Sequence, residues 1–341
     1  MPARAERPRT APRPATAHAA GPRRATAWRV ERSAIVVGTY PPTQCGLATY
    51  TDHLRGAMTT RGWDVGVVRL TQPGDLPPVV PVVANWDRLS GAGLDDAVLT
   101  CETTSVVLLQ HEYGIYPGAD GRDVLDLVHR CAPPIISVLH TVLADPTRSQ
   151  RAVLDQLMDR SAVVTVHTEV ARSRLLGVHG VDPRRVAIVP HGATPNLAGS
   201  ARTASPTVLT WGLLGPGKGI EHGIAAIARL REAGLDVRYV VAGETHPNVR
   251  ATEGERYRNG LARQARHAGV GDLVEFDPGY RDWASLRALV RSATLVLLPY
   301  DSHDQVTSGV LVEALAAGKP VVATAFPHAL EVASTGAALV V

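Results

Sequence analysis

SATLVLLPYDSHDQVTSGVLVEALAAGKPVVATA, residues 292–325, holds a complete strand–loop–helix–strand pattern. The apolar run Leu295 to Leu298, bounded by Pro299, predicts a short buried strand. A polar loop follows, Asp301 to Ser308. Gly309 to Ala317 then carries Val310, Leu311 and Leu315 at helical spacing, with Gly318 and Pro320 as stop signals. Val321 to Ala323 predicts the next strand. A right-handed crossover makes the two strands parallel in one sheet, so the loop lies at the sheet's carboxyl edge. Ligands bind at that edge in open α/β folds, and anions bind the free N–H groups of a helix start.

Thr307, Ser308 and Gly309 stand at this helix start, small enough for a phosphate to approach the backbone. Glu313 follows one turn later in an apolar segment, where a carboxylate needs donors; the two hydroxyls of a ribose would supply them. The plainer alternative makes Thr-Ser an N-cap and Glu313 a solvated helix residue.

The stretch resembles the signature of the group-1 (family 4) retaining glycosyltransferases of the GT-B fold. In that family a Glu, seven residues and a second Glu precede a helix ending in Ala-x-Gly-x-Pro-Val-Val. Glu313 matches the second Glu and Ala317 to Val322 the tail, while Gln305 occupies the place of the first Glu. The resemblance implies two Rossmann-like α/β domains facing across a cleft. It also implies a nucleoside-diphosphate sugar as donor, an acceptor hydroxyl that the sequence leaves unidentified, and transfer with retention of configuration. In the family the residue at Gln305 contacts the donor sugar.

Read in order, the chain opens on an Arg/Pro/Ala-rich leader, residues 1–32. It has eight arginines against Glu6 and Glu31, a net of +6 in a chain of net +3. Such a composition cannot bury enough surface to fold. The expectation is a solvated tail that could touch an anionic membrane surface, with no specific nucleic-acid partner. Ala34 to Gly38 predicts the first strand. It runs into TYPPTQCGLATYTDHL, whose loop and following helix make a second anion site at Gly46. The family carries a similar Pro-Pro…Gly loop against the donor diphosphate. Strands at Val65–Leu70, Ser105–Gln110 and Pro134–Leu139 follow, the latter two ending in His111-Glu112 and His140. Both histidines are therefore expected at the same edge as Gly46. By resemblance His140 reaches the transferred sugar, and His111 with Glu112 is assigned to the acceptor side.

Helices are predicted over Ala144–Arg160 and Glu169–Leu176, with strands over Ala162–His167 and Val186–Pro190. Residues 193–206, ATPNLAGSARTASP, read as a linker. The expected domains are thus 33–192 on the acceptor side and 207–341 for the nucleotide sugar. The second half restarts with the strand Val208–Gly212 and the loop LLGPGKGIEHGI. No Ser or Thr follows its lysine, so this is not a Walker loop. It resembles the family's Gly-Arg-Leu-x-x-x-Lys-Gly loop, with Lys218 in the lysine position and Leu213 in place of the arginine. The chain has only two lysines, Lys218 and Lys319, both in Gly-flanked motifs.

The diphosphate is thus assigned to Gly46, Lys218, Thr307, Ser308 and Gly309, the ribose to Glu313, and the sugar to His140 and Gln305. No cofactor and no metal site are expected. Three widely spaced cysteines, Cys45, Cys101 and Cys131, fit a reducing cytoplasm. No apolar run approaches the ~18 residues of a membrane span. Two alternatives share the fold: a nucleotide-sugar-binding protein without turnover, and a nucleotide-sugar epimerase. The last predicted strand, Ala338–Val341, falls where the resembled family continues into further helices, so the chain reads as C-terminally truncated with that strand uncovered.

Overall fold

The computed structural model describes residues 32–72, 75, 77, 80–197, 205–302 and 304–341. The leader up to residue 31, and residues 198–204 of the expected linker, lie outside the described residues. Strands β1 (Ser33–Gly38), β2 (Asp64–Thr71), β3 (Val82–Asp87), β4 (Val106–His111), β5 (Ile135–Leu139), β6 (Val163–Val166) and β7 (Val186–Ile188) form one sheet. Its order is β3-β2-β1-β4-β5-β6-β7, and all its pairs are parallel. Strands β8 (Thr207–Trp211), β9 (Arg238–Ala242), β10 (Val274–Asp277), β11 (Leu295–Leu298), β12 (Val321–Ala323) and β13 (Leu339–Val340) form the second, ordered β10-β9-β8-β11-β12-β13 and again parallel. These are two Rossmann-like halves in the GT-B arrangement. In each, the order reverses beside the first strand, between β1 and β4 and between β8 and β11, where such folds bind ligands.

Helices α1 (Gly46–Thr59), α2 (Leu94–Cys101), α3 (Val124–Arg130), α4 (Arg148–Arg160) and α5 (Glu169–Arg174) cover the first sheet. The second is covered by α6 (Ile220–Glu232), α7 (Pro247–Glu253), α8 (Arg256–His267), α9 (Trp283–Ser292), α10 (Gly309–Ala316) and α11 (Pro327–Ala333). Their starts follow local chemistry. Thr147 and Gln150 close a capping box on α4, and the Asp282 carboxylate accepts from Ser285 N at 2.7 Å at the start of α9. The central strands are β-branched and buried on both faces, as Ile35, Val36 and Val37 show. Val37, Leu109, Trp86 and Leu154 anchor the first core. Around the second sheet, Leu209, Leu298 and Phe326 pack on one face, and Ile224, Tyr239 and Leu261 on the other.

The edge strand β3 was not among the predicted strands, and two helices, α7 and α8, fill the connection from β9 to β10. The helix expected from Ala144 begins only at Arg148, where Thr147 caps it. Residues 195–196 of the expected linker are pinned to the second half. Asn196 N donates to Ala316 O at 2.9 Å, and its side-chain oxygen accepts from Arg287 Nε and Arg291 Nη1 at 3.2 and 2.8 Å.

The candidate active site between the two sheets

The carboxyl ends of both sheets open into one cleft of about 800 Å³. The first half contributes the loop after β1 and the start of α1 (Pro41 to Leu47, Tyr50, His53), then Glu112, His140, Thr141 and His191. The second contributes Trp211 to Leu213, Glu244, Gly279 to Trp283, Gln305, Thr307, Gly309 and Glu313. Of the residues assigned from sequence, Gly46, Glu112, His140, Gln305, Thr307, Gly309 and Glu313 line this one space. Lys218, Ser308 and His111 do not.

On the second half's wall, Glu313 rises from α10 into largely apolar surroundings. Burial pushes its pKa up to about 7, and a hydrogen bond from the Trp211 side chain only partly offsets this. Thr307 Oγ1, in the loop just before this helix, is buried without any hydrogen-bond partner. Ser308 is already used by the fold: its hydroxyl accepts from Leu311 N at 3.2 Å, and its N–H donates to His328 Nδ1 at 2.8 Å. Its own backbone donor is therefore occupied, and the free amides at this edge begin at Gly309. A Cβ at that position would crowd the His191 ring, standing 3.3 Å from its Nε2. Gly219 is fixed more tightly still. Its φ is +61°, and a Cβ would fall 1.6 Å from Pro299 O. This holds the lysine loop against β11, but Lys218 itself turns its ammonium over the Tyr300 ring, 4.5 Å from the centroid.

On the opposite wall three histidines surround Tyr50. Its ring centroid lies 4.8, 5.3 and 5.0 Å from those of His140, His167 and His191. Burial lowers the pKa of all three, and their mutual proximity adds to the effect at His140 and His191. His140 Nε2 donates to Gln110 Oε1 at 2.7 Å, since the amide oxygen can only accept; its neutral ring therefore keeps Nδ1 as the lone pair. Glu112 accepts from Thr141 Oγ1 at 2.5 Å and from Tyr113 N at 3.0 Å, yet burial raises its pKa. His111, expected beside it, is wholly buried between Tyr113 and Tyr116 with neither ring nitrogen bonded. Cys45 caps α1, its sulfur accepting from Ala48 N at 3.3 Å.

The two walls are tied together below the cleft. Val306, from the loop after β11, is buried in the first half's core, and its carbonyl accepts from Thr168 Oγ1 at 3.0 Å. Asp304 pairs with Arg174 at 3.0 Å, and Glu331 on α11 accepts from the Glu169 and Val170 amides at 3.1 and 3.3 Å. At the other rim Trp283 meets His53, ring centroids 4.5 Å apart. The sequence reading missed Trp211, His191 and the segment Gly279–Trp283 as cleft residues. Of these, His191 alone could have been flagged, by its position just after the predicted strand Val186–Pro190. Among the described residues, no group of three or more His, Cys, Asp or Glu could hold a metal ion, and no helix is long and apolar enough to cross a membrane.

Comparison with known proteins agrees with this architecture. The family described as Glycosyl transferases group 1 matches residues 198–341, and Glycosyltransferase Family 4 matches residues 45–197. D-inositol 3-phosphate glycosyltransferase of Actinosynnema mirum is 29% identical over 82% of this chain and 76% of its own length. The protein of the same name from Mycobacterium sp. (strain KMS) is 30% identical over 82% and 71%. A crystal structure of a glycosyltransferase from Rickettsia africae superposes with a TM-score of 0.67 at 12% identity, covering 91% of this chain and 84% of that one. The low identity of that last match speaks for the fold alone. With a shared fold, both halves matched and a 30% identical relative spanning most of both chains, this chain belongs to the group-1 glycosyltransferases.

Proposed function

We propose that the chain moves a sugar from a nucleoside-diphosphate donor to an acceptor hydroxyl with retention of configuration, in the reducing cytoplasm. The observation that carries this reading is Glu313. A carboxylate held near neutrality by burial, with one donor from the protein, is completed by two ribose hydroxyls. The ribose in that place sets the diphosphate against Thr307 Oγ1 and the amides from Gly309 onward, with Gly46 opposite. Ser308 contributes by shaping the turn, and Lys218 contributes charge on leaving Tyr300. His140 and Gln305 face the sugar. Glu112 and Thr141 form the acceptor side, with His111 packed behind them.

In the transfer, the bond between the anomeric carbon and the diphosphate breaks with its electron pair going to the diphosphate. The acceptor oxygen bonds to that carbon on the same face, and the acceptor proton passes to a diphosphate oxygen. Stabilising the leaving charge is the main demand on the protein. The donor class is tested by a thermal-shift screen of UDP-, GDP- and ADP-sugars. The donor that binds is then offered D-inositol 3-phosphate, the compound in the relatives' name, as first acceptor. NMR of the product should show the donor's anomeric configuration. An inverted product, or a free epimerised sugar nucleotide, contradicts the proposal.

A further inference from the structure

The part of the cleft assigned to the diphosphate is short of permanent positive charge. Leu213 stands where the resembled family has an arginine, and Lys218 rests over Tyr300 outside the cleft lining. Arg281 lines the cleft, but its Nε is bound to Asp277 at 2.6 Å. A histidine, however, lies against the start of α10. His191 Nε2 is 3.3 Å from where a Cβ of residue 309 would be, so the ring packs closely over the bare glycine backbone. Its Nδ1 donates to Gly192 O at 2.9 Å, which leaves Nε2 as the lone pair of the neutral ring. The unpartnered, buried Thr307 Oγ1 belongs to the same edge.

We propose that His191 adds a ligand-dependent cation to the diphosphate site, beside the charge Lys218 brings: it takes up a proton at Nε2 when the nucleotide sugar binds and returns it to solvent when the nucleoside diphosphate leaves. This rests on the donor reading above. The groups facing His191 are Tyr50 and His53 from α1, His140 after β5, His167 after β6 and His328 from α11. None is a permanent charge, so in the free cleft nothing balances a proton on this ring. Burial and the neighbouring His167 accordingly hold its pKa down to about 4. A diphosphate in contact reverses the balance, because an anion at hydrogen-bond distance favours the protonated ring. The arrangement supplies positive charge only while a phosphate is present to neutralise it. A buried arginine would instead burden the empty cleft with an unpaired charge.

The probe is whichever of UDP-, GDP- and ADP-glucose binds, since the diphosphate of a nucleotide sugar does not itself titrate near neutrality. Calorimetry at pH 6 in buffers of low and high ionisation enthalpy counts the protons exchanged. Glu313 exchanges a proton too, so the quantity read is the difference between wild type and His191→Asn. The wild type should take up close to one proton more than the variant. The ratio of wild-type to variant affinity should fall about tenfold between pH 5 and pH 6. His191→Arg, a fixed cation, should bind the same sugar nucleotide without that extra proton, which keeps the test open should the asparagine variant fold poorly. Equal proton counts in wild type and variants, or an affinity ratio independent of pH, overturn the role of His191 while leaving the donor reading intact. Failure of all three sugar nucleotides to bind the wild type overturns both.

Discussion

Replacing Glu313 with glutamine keeps the side chain's shape and removes a carboxylate that the empty cleft holds at a cost. Its pKa rises from the ordinary 4.5 to about 7, chiefly because burial strips water from the charged form. Each pH unit of that rise is worth about 1.4 kcal/mol, so ionised Glu313 destabilises the native state by about 3 kcal/mol. Solvent reaching it through the cleft reduces this to about 2–3 kcal/mol. Because the folded-state pKa lies above the unfolded one, the native protein binds this proton more tightly. The penalty is therefore small near pH 4.5, grows as pH rises to about 7, and is constant above. Glu313→Gln should be more stable than wild type by about 2–3 kcal/mol at pH 8.5, a rise in Tm of roughly 3–5 °C. At pH 5 the advantage should shrink below about 1 kcal/mol. Thermal and urea unfolding of the unliganded proteins at both pH values measure it, and the same variant should lose donor affinity, since function here opposes stability. An equal difference at pH 5 and 8.5, or no stabilisation at 8.5, would show that Glu313 is not held near neutrality by burial.

Thr307→Val removes a buried hydroxyl that has no partner, so unfolding should show it neutral or slightly stabilising while titration shows weaker donor binding. A large loss of stability would mean the hydroxyl is satisfied in the free protein. Lys218→Ala should weaken donor binding by about 1.5–3 kcal/mol in calorimetry, the range of a charge-assisted hydrogen bond. Unchanged affinity would leave Lys218 as a side chain packed on Tyr300. Phe326→Ala empties a fully buried position in the second core beside α10, and chemical denaturation should show a loss of about 3–5 kcal/mol.

The strands were legible because runs such as Ile35-Val36-Val37 and Leu295 to Leu298 are apolar throughout and end at turn-forming residues, which is what burial on both faces demands. β3 was not, since VVANWD follows a Pro-rich segment and carries polar residues that only an edge strand tolerates. Crossover handedness alone could place Gly46 and His140 at the carboxyl edge of one sheet and Glu313 at that of the other. What joins the two walls could not be read in advance. Val306 in the other half's core, Asp304 on Arg174 and Trp283 on His53 join residues more than a hundred positions apart, and no local periodicity encodes such pairings. Ser308 shows the same limit at short range. A small hydroxyl residue before a helix reads equally as a cap or a phosphate contact, and only the partners of its oxygen and amide separate the two.

The ribose contact of Glu313 carries the donor reading, and a double-mutant cycle measures it most directly. The nucleoside diphosphate identified by the screen and its 2′,3′-dideoxy analogue are titrated into wild type and Glu313→Ala. The wild type should lose about 1.5–3 kcal/mol with the dideoxy compound, as expected for hydrogen bonds to a charged group. Glu313→Ala should bind both compounds alike. Equal losses in the two proteins would place the ribose elsewhere and contradict the account.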